Sequence, residues 1–115
     1  MTNFIWITTQ KEMFHKYPNA PDAVSFLRNE HRHIFKFKVY VEVVHNDRDI
    51  EFIMFKHEVE TMINQLNKNL KHKSCEMISN DLFKSIIKQY PNRHIKIEVS
   101  EDGENGSLYD YPTNQ

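Results

Sequence analysis

Two histidines stand one residue apart, at His31 and His33, where the most regular alternating pattern of the chain begins. Side chains along a strand point alternately to its two faces, so both imidazoles are expected on the same face. Neutral imidazole is a good ligand for zinc. The pair therefore predicts part of a metal site, and His15 is the best candidate for a third ligand. The alternative is a pair of partly exposed strand histidines that bind no metal.

A second polar position of interest is Glu101, which follows a short alternating strand pattern near the end of the sequence. The alternation places its side chain on the same face as Ile95, Ile97 and Val99, where a carboxylate is costly unless it finds donors. The amide-and-amine edge of a guanine-like ring offers a directional pair of donors. Glu101 is thus a candidate ring-binding residue. The alternative is a solvated residue that opens the turn at 102–106.

The first half of the chain predicts strands joined by one short helix. The residues around 20–27 have the i, i+3, i+4, i+7 spacing of a helix, for which Asn19 is a plausible cap. The residues from Lys11 to Pro21 are expected to be irregular. Asn46 and Asp47 favour a turn that would fold a second strand back on the long one. The predicted strands are Phe4 to Gln10, His31 to Val44 and Asp49 to Met54.

The second half predicts two amphipathic helices followed by a hairpin. Apolar residues recur at helical spacing from Phe55 to Leu70, and again from Cys75 to Tyr90. Ser74 is expected to cap the second helix. The closing hairpin runs from Ile95 to Tyr111. Because strands and helices occur in separate runs, the fold class is α+β, with helices on one face of an antiparallel sheet.

Composition limits the possible functions. The 115 residues suit a single domain over 1–115, and a net charge of −1 without a basic stripe argues against nucleic-acid binding. Two glycines exclude a glycine-rich phosphate loop of the usual type, and one cysteine excludes an internal disulfide. We expect no membrane span and no signal peptide. The predicted location is therefore cytoplasmic.

Several segments spread over nearly the whole chain have a familiar order. They are Phe14-His15, His31-Arg32-His33 with its long strand, Glu51-Phe52 followed by Lys56, Ser74 to Ile78, and Ile95 to Glu101 followed by Ser107 to Tyr109. In order and spacing the chain resembles the tunnelling-fold enzymes 6-pyruvoyltetrahydropterin synthase and 6-carboxytetrahydropterin synthase.

The resemblance implies the tunnelling fold, an antiparallel four-stranded sheet with two helices on one face, and with it a site and an assembly. Zinc would be bound by His15, His31 and His33, and a pterin or purine-like ligand would be bound by Glu101 and Glu76. Sheets of this family join edge to edge, so a homo-oligomer, a trimer or a hexamer, is expected. Such pairing would also protect the exposed edge of the first strand from aggregation.

The chain departs from this family in its catalytic residues. The family's catalytic cysteine precedes the histidine pair, but residues 24–30 contain no cysteine. Its Leu-Asp-His segment between the helices is also missing from Asn67 to Lys73, where His72 is only a loose substitute. Glu30 or His72 would have to act as the general base. Arg32 replaces the glycine between the ligand histidines.

Three functions remain open at this point. The first is a zinc-assisted lyase acting on a dihydropterin. The second is a non-catalytic protein that binds or sequesters a purine or pterin nucleotide, using Glu101 and basic residues such as Arg28, Arg32 or Arg93. The third is an oligomeric scaffold in which His31 and His33 are incidental. The absence of the cysteine weighs against the usual chemistry, because a serine is a far poorer base than a thiolate.

Overall fold

A computed structural model of the chain describes residues 1–68 and 70–113. It forms one antiparallel sheet in the order β1-β2-β3-β4, with helices packed on one face, which confirms the predicted α+β class. A short 3-10 helix, Asp22–Arg28, connects the first two strands. The strands are β1 (Asn3–His15), β2 (His31–Val43), β3 (Ile95–Glu101) and β4 (Asn105–Tyr111), and the helices are α1 (Phe52–Asn67) and α2 (Cys75–Gln89).

The core lies between the helices and the odd-numbered face of the sheet. Along β2 every second residue from Phe35 to Val43 is buried, as the alternation predicts. The predicted helical stripes cover this face and exclude water from it. The helices contribute Phe55, Val59 and Ile63 from α1, and Cys75, Ile78, Leu82 and Ile86 from α2.

Strand β1 is longer than predicted. The segment from Lys11 was expected to be irregular, but the strand continues to His15 and pairs with β2 along its whole length. The reason is that the alternation does not stop at Gln10: Met13 and His15 are buried on the inner face, whereas Phe14 is exposed on the outer one. The first chain-breaking residue, Pro18, comes only after the strand has ended.

The predicted return strand from Asp49 to Met54 is wrong. The Glu51 side chain accepts hydrogen bonds from the backbone N–H groups of Ile53 and Met54, so it caps α1, which begins at Phe52. Strand β2 pairs instead with β1 and β3. A short apolar run fits a strand or a helix start equally well, and the cap decides between them here.

Helix α2 has its predicted bounds to within one residue, whereas α1 begins three residues before Phe55 and ends at Asn67, before Leu70. Ser74 caps α2, because its hydroxyl accepts from the N–H of Met77. The 3-10 helix is preceded by Pro21 rather than capped by Asn19. In the part of the chain that is described, no helix has the length and apolar character that a membrane span requires.

Candidate metal centre

The strand register brings the three predicted metal ligands together at one end of the sheet. His15 lies directly opposite His31 in the β1–β2 ladder, and His33 is two residues further along the same face. Glu101 ends β3 opposite Phe35, which places its side chain diagonally next to His33. Four side chains from three strands therefore meet on the inner face, where the helices leave the sheet end open.

The distances within this cluster suit one small cation. Each residue offers a ligand atom, and the four atoms lie within 4.8 Å of one another. Neighbouring imidazole rings are 4.6 Å (His15–His31) and 5.0 Å (His31–His33) apart between centroids. A tetrahedral zinc with bonds of about 2.0–2.1 Å sets its ligand atoms about 3.4 Å apart, which is within this limit.

The Nδ1 atom of each histidine is held by a hydrogen-bond acceptor. His15 Nδ1 donates to the backbone oxygen of Lys73 at 2.9 Å, and His31 Nδ1 donates to that of Asn29 at 2.9 Å. His33 Nδ1 donates to a carboxylate oxygen of Asp102 at 2.7 Å. With the proton on Nδ1, the Nε2 atom carries a lone pair. Metal-binding histidines are generally oriented in this way.

Two of these Nε2 atoms are buried without a hydrogen-bond partner among the described residues. They belong to His15 and His33. An oxygen of Glu101 lies 2.6 Å from His33 Nε2 and 3.6 Å from His15 Nε2, but it forms no aligned hydrogen bond with either. Acceptor atoms this close repel unless a proton or a cation lies between them. His15, His31, His33 and Glu101 together could therefore hold a metal ion.

Asp102 also contacts the cluster, although the sequence analysis placed it only in a turn. Its backbone is left-handed, with a φ of 58°, and its second carboxylate oxygen accepts from the N–H of Ile34 at 2.9 Å. The hydrogen bonds from Ile34 and His33 lower the pKa of Asp102. Its place directly after β3 brings it next to His33 only through the pairing of β2 and β3, which no local pattern in the sequence shows.

A cavity of about 530 Å³ opens beside the cluster. Volumes of this size are common for small-molecule sites. It is bordered by the metal-cluster residues His15, His31 and Glu101 and by the beginning of α2, from Ser74 to Met77. The loop before α2 is fixed to the end of β1, because Lys16 N–H donates to the backbone oxygen of Lys71 at 3.0 Å.

The other predicted site residues are distributed over two cavities. Glu76 lines the cavity next to the cluster, and His72 borders both that cavity and a neighbouring one of about 790 Å³. Glu30 lines only the neighbouring cavity. All three side chains are exposed. Of the two predicted bases, His72 therefore shares the cavity of the metal cluster and Glu30 does not.

Cys75 borders the same cavity but is packed into the core, as expected. Burial, with smaller contributions from the nearby carboxylates of Glu101 and Glu76, raises the pKa of its thiol to about 12. At neutral pH the thiol is protonated. Cys75 therefore does not replace the cysteine base that residues 24–30 lack.

Comparison with known proteins adds no assignment. No protein-family model matches the chain, and no curated protein matches it significantly.

Proposed function

We propose that this protein is a divergent relative of the tunnelling-fold pterin synthases that binds a pterin or purine-like ligand at a zinc site. The proposal is carried by one observation: three histidines and Glu101 each offer a ligand atom within 4.8 Å of the others, and a ligand-sized cavity lies next to them. The positions of the metal residues and of Glu101 agree with those that the family resemblance implies.

His15, His31 and His33 would bind the zinc. Zinc polarises oxygen atoms of a bound ligand and acidifies neighbouring C–H bonds. Glu101 would accept hydrogen bonds from the amide-and-amine edge of the ring, and Glu76 lies on the wall of the same cavity. Glu101 is close enough to the histidines to be drawn toward the metal when no ring is bound.

Ligand binding is better supported than catalysis. The only cysteine is buried with a raised pKa, and Glu30 lies in the neighbouring cavity. A lyase acting on a dihydropterin remains the second candidate, and His72 favours it because this imidazole borders the cavity next to the metal cluster. Its role would be to move a proton to or from the bound ligand.

The first experiment is metal analysis of the untagged protein. We expect about one zinc per chain, and none in the double variant His31→Ala/His33→Ala. His45→Ala is the matched control, because His45 lies in an exposed turn away from the cluster. Equal zinc content in the wild type and the double variant would contradict the proposal.

The second experiment separates binding from turnover. The zinc-loaded protein is titrated with guanine and with a dihydropterin, and is then incubated with dihydroneopterin triphosphate. Binding that Glu101→Gln weakens, without product formation, supports a non-catalytic binder. Product formation that His72→Ala abolishes supports the lyase. Neither binding nor turnover would leave an oligomeric scaffold as the best description.

We also propose that the protein assembles into a trimer or hexamer in the cytoplasm. In the described part of the chain, β1 and β4 are the two edges of the sheet, each paired on one side only. Open edges favour pairing with a second copy. A free Cys75 fits a reducing compartment. Native mass spectrometry that finds only monomers would overturn the assembly.

A further inference from the structure

We infer that Asp102 is a positioning residue that holds His33 in the tautomer able to bind a metal. The inference concerns the same cluster and rests on the proposed function for its consequence. The orientation of the His33 ring does not depend on the proposed function. The observation behind it is the 2.7 Å hydrogen bond from His33 Nδ1 to Asp102 Oδ2.

Asp102 is held in place by contacts other than the one with His33. Its backbone N–H donates to the oxygen of Ile34 at 2.8 Å, and its Oδ1 accepts from the N–H of Ile34 at 2.9 Å. These two bonds hold Asp102 against Ile34, the residue that follows His33 in β2. The other carboxylate oxygen, Oδ2, is thereby aimed at His33 and at no other ring of the cluster.

The carboxylate then determines which nitrogen of His33 carries the proton. An ionised carboxylate can only accept, so it requires a proton on Nδ1 and leaves the lone pair on Nε2. Nε2 is the buried atom that faces Glu101 and lacks a hydrogen-bond partner among the described residues. Hydrogen bonds of this kind orient metal-binding histidines and increase their basicity.

His15 and His31 differ from His33 in the kind of group that accepts their Nδ1 hydrogen bond. The acceptors for His15 and His31 are backbone oxygens of Lys73 and Asn29, which substitution of those residues does not remove. Asp102 is the one side chain among the three acceptors. The orientation of His33 can therefore be changed by a substitution that leaves all three histidines in place.

The substitution Asp102→Asn tests this directly. Asparagine tolerates the left-handed backbone and can still accept from Ile34 with its oxygen. Its NH₂ group then faces His33 Nδ1 and favours the opposite tautomer, with the proton on Nε2. Asp110→Asn is the matched control, because Asp110 contacts His94 away from the cluster.

The first measurement is the ¹⁵N NMR spectrum of the metal-free protein above the pH at which imidazole is neutral. We expect His33 to carry its proton on Nδ1 in the wild type and in Asp110→Asn, and on Nε2 in Asp102→Asn. A wild-type His33 protonated on Nε2 overturns the inference, and so does an unchanged tautomer in folded Asp102→Asn. The wild-type spectrum decides the question even if the variant fails to fold.

The second measurement is zinc affinity by competition with a chelator. We expect Asp102→Asn to bind zinc about 10–100-fold more weakly than the wild type, with no change in Asp110→Asn. Equal affinities overturn the role of Asp102 in metal binding. If the wild type binds no zinc but shows the expected tautomer, the proposed function fails and the positioning of His33 stands.

Discussion

The two ends of strand β2 hold similar groups in different ways. The near end begins at His31 and carries the histidine cluster, and the far end finishes at Val43. At the far end, Arg93 donates to Asp49 at 2.7 Å and to the backbone oxygen of Glu42 at 3.0 Å. Asp49 also accepts from the N–H of Val44 at 2.8 Å, so its charge is compensated. At the near end, His15 and His33 keep buried Nε2 atoms that have no such partner among the described residues.

The difference separates a structural charge pair from the proposed binding site. Buried polar atoms are normally hydrogen-bonded, because an unpaired one costs about 1–3 kcal/mol. The far end meets this rule and fixes the loop between β2 and α1. The near end breaks it at the open rim of a cavity, which is where a ligand can supply the missing partner. The predictions below test this contrast.

The largest expected effect follows from removing the aromatic ring beneath the cluster. Phe35 is fully buried, with its ring 5.1 Å from that of His15. We expect Phe35→Ala to lower the free energy of unfolding by about 3–5 kcal/mol, measured by urea denaturation, and also to weaken zinc binding. Ile95→Ala, in the core at the far end, is the control. It should destabilise the protein by about 2–5 kcal/mol without changing zinc affinity, and a parallel loss of affinity in both variants would contradict the contrast.

A second test measures whether the thiol of Cys75, next to the cluster, is reactive. Because the pKa of Cys75 is raised to about 12 and its side chain is buried, alkylation by iodoacetamide at mildly alkaline pH should be at least about 100-fold slower than for free cysteine. Unfolding in urea should restore the ordinary rate. Fast reaction in the folded protein would make Cys75 available as a base and would favour the lyase.

How far the sequence predicts this molecule depends on the range of the interactions involved. The alternation of β2 and the stripe of α2 are local patterns, and both are confirmed. His15 lies in the segment that was expected to be irregular, yet it ends β1 and pairs with His31 in β2. The role of Asp102 depends on its pairing with Ile34, which lies 68 residues away and leaves no local pattern. Long-range register could not be read from spacing alone.

The next prediction concerns the cap at the beginning of α2, which borders the cavity. Ser74→Ala removes the acceptor for the N–H of Met77 and should lower the free energy of unfolding by about 1 kcal/mol. Ser85→Ala, inside the same helix, should have a smaller effect or none. Thermal unfolding followed by circular dichroism measures both. Equal effects would show that the hydroxyl of Ser74 does not act as a cap.

The smallest effect concerns the charge pair at the far end. The hydrogen bond from Arg93, assisted by the N–H of Val44, lowers the pKa of Asp49 below its usual value of 3.8. The ionised Asp49 therefore stabilises the folded protein above its unfolded-state pKa. This stabilisation is lost as the pH falls through the lower folded-state pKa.

The measurement for this pair is a comparison of wild type and Asp49→Asn by urea denaturation between about pH 6 and about pH 3. The wild type should be the more stable at the higher pH, and the difference should shrink at the lower one. The Asp47→Asn variant, at an exposed position, should follow the wild type. A difference that does not change with pH would contradict the assigned pKa shift.

The β1–β2 ladder has a further consequence for how sequences of this kind can diverge. His31, His33, Phe35 and Phe37 share one face, so the metal ligands and the core depend on the same two-residue repeat. Insertion or deletion of one residue within this stretch would turn either the ligands or the aromatic rings toward the opposite face, unless a bulge absorbed it. Related chains can therefore lose these histidines by substitution, but a single-residue change in length cannot shift them along the strand while the interior stays packed.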